Sequence, residues 1–146
     1  MTATDSPVSA APGTFTSHDP RTGDVVGTYP EHDAAAVEAA VARAAEAAQW
    51  WGDLGFAGRA PYLRRWRREL VRRIDTIAEI VRAETGKPLE DAELELVLAI
   101  DHLDWATRNA EKVLGRRRVR SGVLMANQAA TLAYAPLGVV GVIGPW

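Results

Sequence analysis

Three glycines at steps of three, Gly138, Gly141 and Gly144, punctuate the apolar run that ends the sequence, Val139-Val140-Gly141-Val142-Ile143. A loop that cradles a dinucleotide phosphate spaces its glycines differently and opens directly into a helix, so these glycines signal close backbone packing rather than phosphate binding. No catalytic group stands out elsewhere. Cys is absent from the 146 residues, which removes a thiolate nucleophile, a disulfide framework and a Cys-based zinc site together. His18, His32 and His102 are far apart and lack metal-ligand spacing, so no metal site is expected and they read as surface or capping residues. His102 has Asp101 and Asp104 nearby, but neighbours one and two apart on a helix point in different directions. Arg64-Arg65-Trp66-Arg67-Arg68, with Arg72 and Arg73, has the residue types of a nucleic-acid face. Glu69, Asp75 and Glu79 interrupt it and the net charge is -2, so a solvated helix face is the better reading and no nucleic-acid partner is expected. Trp50, Trp51 and Trp105 are read as packing groups on amphipathic helices rather than as a ligand site.

Around these residues the chain has the balance of an ordinary globular protein, 47% hydrophobic and 25% charged, with length for one domain. Met1 to Gly13 lacks the basic start and apolar stretch of a secretory signal, which makes residues 1–13 a flexible tail and the location cytoplasmic by expectation. Leu137 to Ile143 is too short to span a bilayer, so no membrane partner is expected.

The elements follow from punctuation and period. Thr14–Ser17 and Val25–Tyr29 are β-prone and flank Asp19-Pro20-Arg21-Thr22-Gly23, a hairpin turn. Asp33 caps a first helix whose apolar residues Val37, Ala40, Val41, Ala44, Ala48 and Trp51 recur at helical spacing to about Gly52. A second helix is predicted from about Arg59 to Glu84, with Leu63, Trp66, Leu70, Ile74, Ile77 and Val81 on one face. Gly86 suits a left-handed C-cap and Pro88 the start of a third helix, which carries Leu89, Leu96, Ile100, Leu103 and Leu114. Three amphipathic helices are thus expected to stack in sequence. Beyond Gly115, Arg118-Val119-Arg120 and Thr131 to Tyr134 change to a period near two and read as paired strands joined by Gly122 to Asn127. Gly138 to Ile143, apolar and β-branched between Pro136 and Pro145, has the character of a strand covered on both faces in a parallel sheet. Such a strand needs neighbours and covering helices that no later residues supply, so the chain is expected to be the unfinished beginning of a longer protein.

Two motifs carry a resemblance over nearly the whole length. Glu84-Thr85-Gly86-Lys87-Pro88-Leu89 is similar to the segment between two amino-terminal helices of the aldehyde dehydrogenase superfamily. Ala135-Pro136-Leu137-Gly138-Val139-Val140-Gly141-Val142-Ile143-Gly144-Pro145-Trp146 resembles the same family's passage into its dinucleotide-binding domain, and the Asp19 to Gly23 turn resembles its opening hairpin. The resemblance implies an α/β fold: an N-terminal hairpin, three stacked helices, oligomerisation-arm strands at about 116–135 and the first strand of a Rossmann-like domain. Residues 14–146 would form the N-terminal fragment of a cofactor-binding domain. The family oxidises an aldehyde to its acid with NAD or NADP through a Cys thiohemiacetal and a Glu base, neither of which falls within this chain. The resemblance therefore assigns no catalytic residue here and implies that the chain alone is inactive. Positions matching Ile143, Gly144, Pro145 and Trp146 line the nicotinamide and ribose side of the family's cofactor cleft, beyond the carboxyl ends of the strands. An Asn that follows the Trp in the family is missing, as are the phosphate-binding glycines and the ribose-reading acid, so NAD(P) affinity is expected to be weak or nil. The general pattern of the helices from Arg59 to Leu114 resembles bacterial succinate-semialdehyde-type and related broad-specificity members. A homo-oligomer through the arm strands is implied, and with that edge unpaired the chain alone is expected to aggregate or associate heterogeneously. The alternative reading is a non-catalytic helical interaction module that associates with intact homologues.

Overall fold

The computed structural model describes residues 13–144. The expected tail therefore lies outside the described residues except for Gly13, as do Pro145 and Trp146. Strand β1 (Thr14–His18) pairs antiparallel with β2 (Val25–Pro30), from Thr14 opposite Pro30 to Ser17 opposite Gly27, with a bulge between Ser17 and His18. The turn between them is held by Asp19, whose carboxylate accepts the Arg21 backbone N–H at 2.8 Å and its guanidinium at 2.8 and 3.2 Å. Exposed His18 bonds the Gly23 carbonyl through Nδ1 at 3.1 Å, in keeping with a capping role.

Asp19 is buried, and the hydrogen bond from the Arg21 side chain, followed by the Arg21 backbone N–H, holds its carboxyl down at about 2. A carboxyl depressed in the folded state adds stability that is complete above its unfolded value and disappears as pH falls through its folded one. Acid titration should therefore remove this contribution between about pH 4 and about pH 2. Asp19→Asn should flatten the pH dependence of the urea midpoint in that window; an unchanged slope would exclude Asp19 as the titrating group.

Helix α1 (Ala34–Asp53) starts where expected, with Asp33 Oδ1 accepting the Ala36 N–H at 2.8 Å. It ends one residue before Leu54, and α2 (Gly55–Arg72) begins at once, earlier than the predicted Arg59, so Pro61 falls in its second turn. The single helix predicted from Arg59 to Glu84 is in fact two. Arg73 leaves helical geometry at φ -109° and ψ 13°, and α3 (Ile74–Thr85) starts after it. Neither Gly nor Pro marks this break. Its polar residues do support it, since Glu69 pairs with Arg72 and Arg73 in the last turn of α2 while Asp75 lies in the first turn of α3.

Gly86 ends α3 in the left-handed region, at φ 74°, and its N–H donates to the Arg82 carbonyl at 2.9 Å. Helix α4 (Leu89–Leu114) follows from Pro88, with Glu90 and Asp91 in its first turn. It packs against α2 and α3, and the fully buried residues are small: Ala78 and Ala92 are each 0% exposed and Ala60 is buried on α2. The inward face of α2 carries Ala60, Leu63, Arg67 and Leu70, so Trp66, predicted to share the apolar stripe, stands 56% exposed. Arg67, the next residue round α2, instead faces α4 and pairs with its Asp104, while Trp66 points away. Helix α1 has no buried residue and touches mainly the adjoining α2, so the stack consists of α2, α3 and α4, with α1 beside it.

Strands β3 (Arg117–Val119) and β4 (Ala130–Leu132) form a second antiparallel hairpin, Arg118 opposite Thr131, with a short 3-10 turn at Val123–Met125. Both strands expected here are present, each starting one residue earlier than read; β3 has the expected length and β4 is one residue shorter. The described residues hold these two separate two-stranded sheets and no parallel one. Gly138 to Gly144, predicted as a buried strand, carries no strand pairing and is exposed. A strand is defined by partners, and none lies beside this run among the described residues. Several apolar residues on the helix faces are left exposed, Val37, Val41, Leu94, Val97 and Leu98 among them. No helix among the described residues is long and apolar enough to cross a membrane.

Candidate functional site

Of the four residues implied in cofactor binding, the described part contains Ile143 and Gly144. Ile143 is 93% exposed, and a Cβ added at Gly141 or Gly144 would meet nothing within 4 Å. The close backbone packing that the glycine spacing suggested is therefore not formed here. A nucleotide site needs donors converging on phosphate and an acid on ribose; Ile143 and Gly144 bring neither, and by themselves they do not fit a dinucleotide. Pro145 and Trp146 lie outside the described residues.

The start of the same run does have a place. Val139, Val140 and Gly141 lie near the first turns of α1 and border with it an open groove of about 640 Å³, lined by His32, Ala36, Val37, Ala40 and Ala44 among others. Its lining is mostly aliphatic, and no pair of groups in it could pass a proton or attack a carbonyl. A second cavity of about 490 Å³ lies where Tyr134 to Gly138 crosses Trp51, Phe56, Arg59 and Leu114. Arg59 stacks 4.8 Å over the Phe56 ring, and Tyr62 meets Trp50 and Trp51 edge-on at 5.5 and 5.9 Å. Both cavities seat the returning chain on the helices, which is scaffold rather than chemistry.

The polar groups support the same conclusion. Asp104 is tied to Arg67 and Arg108, so it does not act with His102. Of the six arginines between positions 64 and 73, Arg67, Arg72 and Arg73 are ion-paired, which supports the solvated-face reading over a nucleic-acid face. Among the described residues no group of three His, Asp or Glu side chains could hold a metal ion. Sequence reasoning missed the links between elements. Tyr29 of β2 donates to Glu84 of α3 at 3.2 Å, and the nearby Glu84 charge, then that hydrogen bond, push the Tyr29 phenol above its usual value. A Cβ on Gly86 would lie 2.9 Å from Pro20 Cγ, so the first hairpin's turn rests on the end of α3. Lys87 reaches Glu95 along the start of α4. The Glu84 to Leu89 segment is therefore where the hairpin, α3 and α4 meet.

Comparison with known proteins places this arrangement. The chain is 30% identical over 135 residues to the mitochondrial succinate-semialdehyde dehydrogenase of Rattus norvegicus, an alignment covering 92% of the chain and 25% of that protein. It is 32% identical over 132 residues to a probable NADP(+) succinate-semialdehyde dehydrogenase of Sinorhizobium fredii, covering 90% of the chain and 26% of the relative. The chain thus spans about a quarter of the length of the curated relatives it matches. Among solved structures, an aldehyde dehydrogenase of Brucella melitensis biovar abortus superposes with a TM-score of 0.70 at 28% identity, over 75% of this chain and 23% of that one. A succinate-semialdehyde dehydrogenase of Burkholderia pseudomallei does so with a TM-score of 0.62 at 34% identity, over 77% and 23%. The sequence profile of the aldehyde dehydrogenase family matches residues 8–146, a span that includes both hairpins and all four helices, and the chain therefore belongs to the aldehyde dehydrogenase family.

Proposed function

We propose that this chain provides the amino-terminal scaffold of an NAD(P)-dependent enzyme that oxidises an aldehyde, a semialdehyde foremost, to its acid. The observation that carries this reading is the family match over residues 8–146, supported by relatives named as succinate-semialdehyde dehydrogenases, one of them for NADP(+). In this reading residues 14–146 belong to the cofactor-binding domain. Ile143, Gly144, Pro145 and Trp146 line the nicotinamide side of the cleft once further strands and helices surround them, and the hairpin from about 116 to 135 joins subunits. The scaffold orients; it supplies no nucleophile, because the 146 residues contain no Cys.

Two measurements test the proposal. The purified chain mixed with succinate semialdehyde and NAD+ or NADP+ should form no reduced cofactor, and turnover above the blank would refute the absence of catalytic groups. Residues 14–146 exchanged for the matching quarter of the Sinorhizobium fredii relative should give a chimera that oxidises succinate semialdehyde. A soluble but inactive chimera that retains cofactor binding would count against the scaffold role. The unpartnered apolar faces of α1 and α4 favour a second reading, a non-catalytic helical module that joins intact homologues. Copurification of the chain with an intact homologue, joined with failure of the chimera, would select it.

A further inference from the structure

A further cleft, of about 480 Å³, opens where the end of α1, the start of α2 and the last two turns of α4 converge. Those three helices alone supply its lining, so it does not depend on the residues that follow them. Trp51, Phe56 and Leu63 give it an apolar wall, into which three guanidinium groups are set, Arg59, Arg64 and Arg108, with one carboxylate, Glu111. The charges do not cancel. Arg108 is paired with Asp104, whereas among the described residues neither Arg59 nor Arg64 has an ion-pair partner. With Glu111 set against one of them, a positive charge is still left to receive an anion from outside. Arg59 is the better placed of the two. Its Nε donates to the Gly55 carbonyl at 2.9 Å, and its guanidinium carbon lies 4.8 Å over the Phe56 ring. Hydrogen bond and ring together hold the guanidinium plane, so the entropy of ordering this long side chain is spent before any ligand arrives. The bond through Nε is the only one its side chain makes among the described residues, which leaves both Nη groups free to donate.

We infer that this cleft binds a small amphipathic carboxylate, with its head on the Nη groups of Arg59 beside Arg64 and its hydrocarbon body against Trp51, Phe56 and Leu63. A planar fork held in place matches the two oxygens of a carboxylate, and the bond is charge-assisted at both ends. The lining selects the body: a bare inorganic anion would leave the rings wet, whereas an aryl or alkyl chain buries them. Small-molecule sites of about 300–1,000 Å³ combine these same parts, an apolar wall and a few fixed polar groups. None of the lining belongs to positions 143–146, so the site is separate from the cofactor positions proposed above. This goes beyond the enzymatic proposal and does not depend on it.

The test titrates the 146-residue protein with phenylbutyrate by isothermal titration calorimetry, with phenylbutanol as the same body without charge and acetate as the same head without body. Phenylbutyrate should bind saturably, and the other two should bind roughly tenfold more weakly or not at all. Arg59→Gln should weaken phenylbutyrate roughly tenfold and leave phenylbutanol within about twofold. Arg64→Gln changes an exposed side chain and should weaken phenylbutyrate roughly threefold. Arg43→Gln, on α1 about 12 Å along the helix from Trp51, is the charge control and should stay within about 1.5-fold, since salt screens a charge at that range. In a heteronuclear NMR titration the indole N–H resonance of Trp51 should move, while that of exposed Trp105, outside the cleft, should not. Helical circular dichroism checks the fold, and if Arg59→Gln loses it the Arg64→Gln result decides. Absence of saturable binding, phenylbutanol binding as tightly as phenylbutyrate, equal effects of Arg64→Gln and Arg43→Gln, or a shift at Trp105 in place of Trp51 would each overturn the assignment.

Discussion

Gly86→Val should lower the free energy of unfolding by roughly 2–4 kcal/mol, combining the cost of a β-branched residue in the left-handed region with a steric conflict. The conflict is specific: the new Cβ would lie 2.9 Å from Pro20 Cγ, on a turn whose geometry Asp19 and Arg21 already fix. The turn cannot yield without loosening the Tyr29 to Glu84 hydrogen bond that ties the same hairpin to α3. A urea titration read by circular dichroism should show a lower midpoint with little change in slope. Gly86→Ala should lose less, because it has the same φ but a smaller side chain. A Val variant within about 0.5 kcal/mol of the parent would mean that the hairpin does not rest on the helix end.

Overpacking between α3 and α4 should have the second largest effect. Ala78→Leu or Ala92→Leu inserts a branched side chain at positions that are 0% exposed, at an expected cost of about 1–3 kcal/mol each. The two lie on helices packed against each other, so their effects should not simply add; once one Leu has parted the helices, the second meets less resistance. Ala47→Leu on exposed α1 is the control and should change stability by no more than about 0.5 kcal/mol. Equal effects at all three positions would show that α3 and α4 are not held close by their alanines.

Both expectations bear on function through the same junction. Glu84 to Leu89 joins the hairpin, α3 and α4, and a family scaffold distorted there would misplace everything built on it. The motif was legible from sequence as a helix break. Its contact with Pro20, more than sixty residues earlier, was not.

What the sequence determined by itself is what a few consecutive residues can specify. Asp33 caps α1 because its carboxylate reaches an N–H three residues on, and Gly86 and Pro88 separate α3 from α4 because their backbone torsions allow little else. Pro20 and Gly23 turn the first hairpin, and without any Cys these 146 residues supply no thiolate nucleophile, whatever their shape. Tertiary structure alone decided the break at Arg73, the inward turn of Arg67 at the expense of Trp66, and the close approach of helices through Ala60, Ala78 and Ala92. It also decided that Gly138 to Gly144 lies exposed, its first residues along α1, instead of forming a strand. The physical reason is common to these cases. A cap or a turn is completed by atoms a few residues away, whereas a helix face, an ion pair or a strand is completed by atoms distant in the chain, whose positions no local pattern contains.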